Sequence, residues 1–179
     1  MIRRPFVPML APLLLITACQ APRASAGATP SVGEDAPAFA LTSNDGTEVD
    51  LASLRGRWVV LYFYPKDFTG GCTLEAQNFQ RDLERYESLD AVIVGVSVDN
   101  VDSHREFCAK EGLTFRLLSD VDGAVSARYG SLNERRGTKI SARNTFLIDP
   151  SGKIAQVFTA VSPATHSDDV LAALDRLRH

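Results

Sequence analysis

The sequence predicts an α/β domain with a mixed central sheet flanked by helices. Three observations lead there. The runs Trp58–Tyr64 (WVVLYFY), Ala91–Val98 (AVIVGVSV) and Thr145–Ile148 (TFLI) are short, nearly uniformly apolar and rich in β-branched and aromatic residues. That is the pattern of strands buried on both faces. Amphipathic stretches separate the runs, as crossover helices do. The third run leads through a turn into a further apolar run, which adds an antiparallel hairpin to the parallel strands.

Each element has its own signal. Phe39 and Leu41 approach the Asn44-Asp45-Gly46 turn, and Val49 and Leu51 leave it, which reads as a first hairpin. Pro65 ends the Trp58–Tyr64 strand. From about Cys72, Leu74, Phe79, Leu83 and Tyr86 recur at helical spacing among polar partners. After Ala91–Val98, a helix is expected from about Asp102 to Glu111, with Gly112 as its C-cap. Phe115, Leu117 and Leu118 suit a short strand, and residues 122–129 a brief helix closed by Gly130. The Asp149–Gly152 turn joins TFLI to Ile154–Val161. A last helix starts near Ser167, with Asp168 and Asp169 in its favourable first turn and Val170, Leu171, Leu174 and Leu177 on its apolar stripe. This order of elements suits a thioredoxin-like fold.

Composition bounds the function. The chain has 179 residues, 45% hydrophobic and 23% charged, which suits one domain with appendages. Three cysteines are too few for a disulfide scaffold. The net charge of −3 argues against a nucleic-acid partner, which needs a basic face.

Residues 1–18 read as an export signal. Arg3 and Arg4 precede an uncharged apolar stretch, Pro5 to Ala18, broken by three prolines and too short to span a bilayer. Ile16-Thr17-Ala18-Cys19 resembles a bacterial lipobox, which implies cleavage before Cys19 and lipidation of its sulfur. Residues 19–31 are rich in Ala, Pro, Ser and Gly and suit a flexible tether. The expected organisation is a signal peptide (1–18), a lipidated Cys19 with its tether (19–31) and one domain (32–179). The expected location is the bacterial cell envelope, anchored to a membrane by lipid and facing the periplasm.

The chemistry concentrates in Tyr64-Pro65-Lys66-Asp67-Phe68-Thr69-Gly70-Gly71-Cys72-Thr73. Cys72 falls between a strand end and a helix start, where open α/β sheets place ligands. Unpaired N–H groups and the positive dipole end favour the reactive thiolate there. Glycines before Cys72 let backbone approach a small substrate. Position 69 is threonine, so the Cys-x-x-Cys of dithiol reductases is absent and a single nucleophilic thiol remains beside a hydroxyl. Taken alone, a cysteine at a helix start also fits an inert core thiol, Arg143 a surface arginine, and Thr69 a helix cap.

Pro65-x-x-x-Thr69-x-x-Cys72 resembles the active-site motif of peroxiredoxins. The strings Val59–Ala76, Gly95–Leu113, Leu117–Asp120 and Arg143–Ile154 are similar to the peroxiredoxin Q, or bacterioferritin comigratory protein, subfamily over about residues 32–179. The resemblance implies a thioredoxin-like fold and a thiol peroxidase that reduces hydrogen peroxide and organic hydroperoxides. It implies Cys72 as the peroxidatic cysteine and Thr69 as a hydroxyl bonded to thiolate and peroxide. Arg143 would be the cation that stabilises thiolate and leaving oxygen, and Pro65 the shield of the thiolate. Glu75 matches a common subfamily position. Gly70 departs from the proline usual there, which loosens the loop without removing a reacting atom.

The resemblance also implies where the oxidised sulfur is captured. One branch of the subfamily carries a resolving cysteine five residues after the peroxidatic one, where this chain has Gln77. A second branch carries it on the following helix, which matches Cys108. Alone, Cys108 reads as a buried core residue. Disulfide geometry is demanding, so capture is expected to need local unwinding around both cysteines.

The implied reductant is thioredoxin or an envelope thioredoxin-like protein, and the implied state a monomer. No P-loop, GxGxxG or metal-ligand spacing is present, so neither nucleotide, flavin nor metal is expected. Of the histidines, His104 is expected on an exposed helix face. Two alternatives stay open. One is an envelope thiol-disulfide oxidoreductase that uses Cys72 and Cys108 as a distant pair. The other is a binding module in which the same pair is a fixed structural disulfide.

Overall fold

The computed structural model describes residues 27–135 and 137–178. The expected signal peptide, Cys19 and the expected tether up to residue 26 lie outside them. The first hairpin, β1 (Ala40–Ser43) and β2 (Glu48–Asp50), is followed by a short 3-10 turn at Leu51–Leu54. Then come β3 (Trp58–Phe63), α1 (Gly70–Arg81), α2 (Leu83–Ser88), β4 (Ala91–Ser97) and α3 (Val101–Glu111). The second half holds β5 (Arg116–Ser119), α4 (Ala124–Arg128), β6 (Leu132–Arg135), β7 (Thr138–Ser141), β8 (Asn144–Ile148), β9 (Ile154–Thr159) and α5 (His166–Leu177).

Seven strands form one sheet in the order β2-β1-β5-β4-β3-β8-β9. β3, β4 and β5 are parallel, while β1 and β8 run antiparallel to β5 and β3. The mixed sheet expected from the sequence is present. Alternation along β3 explains its unbroken apolar run. Val60 and Tyr62 face a cluster that includes Phe79 of α1, Phe107 of α3, and Leu171 and Leu174 of α5. Val59, Leu61 and Phe63 face the opposite cluster with Phe39, Val125, Tyr129 and Phe146. A strand with helices on one side and a hairpin and helix on the other has no solvated face to make polar.

Three details differ from the sequence reading. The helix expected from Cys72 begins at Gly70 and breaks at Asp82, so Leu83–Tyr86 belong to α2. The break is held by the buried Asp82 carboxylate, which accepts from Ser167 Oγ at 2.7 Å and from Arg81 Nη2 at 2.6 Å. The β6–β7 hairpin was not foreseen. Its residues are mostly polar, and it forms a separate two-stranded sheet turning at Gly137, φ +77°. His104 is fully buried rather than exposed, because Asp67 and the Leu118 carbonyl supply partners for both of its ring nitrogens.

Candidate active site

The site forms where β3 ends. β3 pairs with β8 antiparallel, with Tyr62 opposite Thr145 and Val59 opposite Ile148. The end of β3 therefore meets the start of β8, and Arg143, one residue before β8, comes beside the loop that follows β3. This register closes the long sequence gap between Cys72 and Arg143. The chain entering β8 is pinned by the unforeseen hairpin. Ala142 N–H donates to the Ser131 carbonyl at 2.6 Å, Asn144 Nδ2 donates to Ser131 Oγ at 3.0 Å, and the Ser126 and Ser141 hydroxyls lie 2.9 Å apart.

Cys72 sits in the first turn of α1 and is 1% exposed. Thr69 is the N-cap residue, and its carbonyl accepts from Thr73 N–H at 2.9 Å. The N–H groups of Gly70, Gly71 and Cys72 therefore have no carbonyl of their own helix to meet, and they point toward the end of the helix where an anion is favoured. The Thr69 hydroxyl donates to the Lys66 carbonyl at 3.0 Å and makes no side-chain cap. Its single proton is thus committed within the loop. No hydrogen bond joins it to the Cys72 sulfur among the described residues, so the contact expected of Thr69 is not made in this state. Pro65 is half-buried and follows Tyr64 at the end of the strand.

Arg143 joins two partners. Its Nη2 donates to Cys72 Sγ at 3.3 Å, and its Nη1 donates to Glu75 Oε2. The side chain is 18% exposed and Glu75 is 1% exposed, so the fork is held largely out of water. Burial pushes the Glu75 carboxyl up to about 7 against the pull of Arg143. Burial disfavours the Arg143 charge, but Glu75 and the Cys72 sulfur together hold the guanidinium above its ordinary range. Glu75 Oε1 has no partner among the described residues, so the pairing is one-sided.

The glycines belong to the first turn of α1, and one of them makes room for Arg143. Gly70 and Gly71 lie in the helix, not in a loose loop. A Cβ on Gly71 would stand 3.3 Å from Arg143 Nη2 and 3.7 Å from Pro163 Cγ, so its bare backbone makes room for the guanidinium. A Cβ on Gly70 would meet nothing within 4 Å. It is the first helical residue, a position where proline fits as well. Pro163 carried no signal in the sequence. It is fixed over α1 by its carbonyl, which accepts from Asn78 Nδ2 at 3.0 Å.

Cys108 lies in α3, 6% exposed, and both it and Cys72 are free thiols. Burial, with a smaller contribution from Asp67, pushes the Cys108 thiol up to about 12. Cys108 is thus a poor nucleophile in this conformation. Among the described residues no cluster of His, Cys, Asp and Glu could hold a metal ion, and no helix is long and apolar enough to cross a membrane.

Known proteins share the sequence pattern and the fold. The model of the AhpC/TSA family matches residues 32–157. The chain is 42% identical over 138 residues to peroxiredoxin Bcp of Xanthomonas campestris, covering 75% of this chain and 86% of the relative. It is 37% identical over 150 residues to peroxiredoxin Bcp of Bacillus subtilis, covering 82% of this chain and 96% of the relative. Among solved structures, a cysteine-to-serine mutant of Xylella fastidiosa PrxQ superposes with TM-score 0.80 at 33% identity, over 86% of this chain and all of that one. The Xanthomonas campestris bacterioferritin comigratory protein, solved for insight into its alkyl peroxide reduction activity, superposes with TM-score 0.74 at 39% identity, over 79% and 92% of the two chains. These neighbours carry the thioredoxin-like fold.

Proposed function

From the premise that this chain belongs to the AhpC/TSA family and is a thiol peroxidase of the Bcp and peroxiredoxin Q type, we propose that Cys72 and Cys108 carry the cycle as an intramolecular pair. Hydrogen peroxide and organic hydroperoxides are its substrates. The observation that carries the reading is the Cys72 sulfur at a helix N-terminus, 3.3 Å from the Arg143 guanidinium. In the first step the Cys72 thiolate attacks the terminal peroxide oxygen. The O–O bond breaks, the sulfur is oxidised by two electrons to a sulfenic acid, and water or alcohol leaves after taking up a proton. Arg143 and the free N–H groups of the first turn of α1 stabilise the charge on the departing oxygen. Glu75 orients Arg143. Pro65 shields the thiolate, and Thr69 turns its hydroxyl to the peroxide once substrate arrives.

In the second step the Cys108 thiol condenses with the sulfenic acid, forming an S–S bond and releasing water. The Xanthomonas campestris peroxiredoxin Q has been solved with each of two cysteines replaced by serine, and their spacing equals that of Cys72 and Cys108. That parallel supports Cys108 as the resolving residue. A thioredoxin-type dithiol then reduces the disulfide. Peroxide consumption with thioredoxin as reductant tests the cycle. Loss of turnover in both Cys72→Ser and Cys108→Ser is expected, and undiminished turnover in either variant would contradict it.

The domain works in the cell envelope, tethered through lipid on Cys19, and acts as a monomer. The basic, apolar and small-residue order of residues 1–19 supports the tether. Metabolic labelling with a fatty acid tests it. Label and membrane association should both vanish in Cys19→Ser, and label that persists there would contradict the assignment.

A further inference from the structure

The loop before Cys72 is tied down by an acid that the peroxide chemistry does not use. Asp67 is 2% exposed and lies five residues before Cys72. Its Oδ1 accepts from Tyr64 Oη at 2.7 Å, and its Oδ2 accepts from Ser103 Oγ at 2.6 Å and His104 Nδ1 at 2.9 Å. Its own N–H donates to Asp99 Oδ2 at 3.0 Å, and Asp99 also accepts from Ser97 Oγ at 2.7 Å. Burial disfavours the Asp67 carboxylate, yet the bonds from His104, Ser103 and Tyr64 hold its carboxyl below the usual range. His104 is anchored in turn, with Nε2 3.2 Å from the Leu118 carbonyl oxygen.

The partners of this acid stand on the helix that carries the second thiol. Ser103 and His104 lie in the first turn of α3, and Cys108 lies one turn beyond His104 on the same face. The next loop residue, Phe68, packs edge-on against Phe107, with ring centroids 5.2 Å apart. A disulfide requires the two Cα atoms to come within roughly 4.4–6.8 Å with defined side-chain directions. Here both thiols are free and buried in one core cluster, with the Cys72 sulfur turned to Arg143. Moving the loop relative to α3 breaks the bonds of Asp67, because three of its four partners (Ser103, His104 and Asp99) belong to α3 or the turn that leads into it.

We propose that Asp67, Ser103 and His104 form a latch between the loop before Cys72 and helix α3, and that its opening sets the rate at which Cys108 captures the oxidised Cys72. The proposal rests on the reading of Cys108 as the resolving residue. Capture breaks the S–O bond of the sulfenic acid, forms the S–S bond and releases water. The competing reaction is attack on a second peroxide, which breaks another O–O bond and oxidises the sulfur to sulfinic acid. The latch therefore decides how long the sulfenic acid stays exposed to that fate. Asp67, Ser103 and His104 are positioning residues, acting through the mobility of the loop and helix.

The test is quenched-flow intact-mass analysis of the wild type, Asp67→Asn and Ser103→Ala, first with one equivalent of hydrogen peroxide and then with excess. In Asp67→Asn an amide must turn its N–H group toward donors. The disulfide should then form about tenfold faster, the factor carried by one hydrogen bond to a charged group. The sulfinic fraction in excess peroxide should fall in step. Ser103→Ala removes one bond and should move both quantities the same way by less. If the wild type forms the disulfide but neither variant forms it faster, the latch is overturned and the resolving role of Cys108 stands. A lowered melting temperature with an unchanged ratio of disulfide to sulfinic acid has the same meaning. If the wild type forms no Cys72–Cys108 disulfide, both readings fall.

Discussion

Replacing Arg143 by glutamine should cost close to a hundredfold in the rate of Cys72 oxidation. Two unit charges 3.3 Å apart at an effective dielectric of about 20 attract by about 5 kcal/mol. One branch of the guanidinium faces Glu75, so about half of that attraction, ~2.5 kcal/mol, acts on the sulfur and on the oxygen charge beside it. At about 1.36 kcal/mol per factor of ten, this approaches two orders of magnitude, within the range seen when one preorganised oxyanion donor is removed. Lysine at the same position keeps the charge but lacks the planar fork that reaches both partners, so Arg143→Lys should recover only part of the loss. The assay is stopped-flow peroxide consumption under single-turnover conditions, giving kcat/KM for the first step. A loss of less than about threefold in Arg143→Gln, with unchanged circular dichroism, would overturn this role of Arg143.

Glu75→Gln should lower the same rate constant by about tenfold, as a displaced charge-assisted bond does. Stability at pH 8 should hold or rise, because a buried carboxyl whose titration is pushed up to about 7 is costly to ionise. Urea unfolding beside the kinetics separates this positioning role from a merely structural one. Gly95→Ala should destabilise by about 1–3 kcal/mol through overpacking, since its Cβ would stand 2.6 Å from Leu117 Cδ2 and 2.7 Å from Tyr62 Cζ. A falling urea midpoint checks it. His166 gives a pH dependence. Burial lowers it to about 4 from its ordinary 6.5, so the unfolded chain binds more protons between those values. Its contribution to stability is intact above pH 6.5 and is lost as pH falls toward 4, by about 3 kcal/mol in all. His166→Gln should lack that slope, so the difference between wild-type and variant unfolding energies should change by this amount between pH 6.5 and 4.

The central strands were legible because burial on both faces leaves an unbroken apolar run, as in Val59–Phe63 and Val94–Val96. The positions of Cys72 and Arg143 at the end of β3 and the start of β8 followed from the motif, but their contact depends on a strand register that no local pattern encodes. The β6–β7 hairpin was invisible because it is short, mostly polar and outside the main sheet. Asp67 and His104 escaped for a related reason. A charged residue in a loop and a histidine among Asp, Ser, Arg and Glu read as solvated, and only the close approach of α3 to the loop buries them together. The break at Asp82 was likewise set by a partner far along the chain, Ser167.

The most direct test of the account is intact-mass and peptide mapping after one equivalent of hydrogen peroxide, applied to the wild type and to Cys108→Ser. The account predicts loss of two hydrogens in the wild type, with a peptide pair joined through Cys72 and Cys108. It predicts gain of one oxygen on Cys72 in the variant. A wild-type chain that keeps its reduced mass, or that takes up oxygen at a residue other than Cys72, would contradict it.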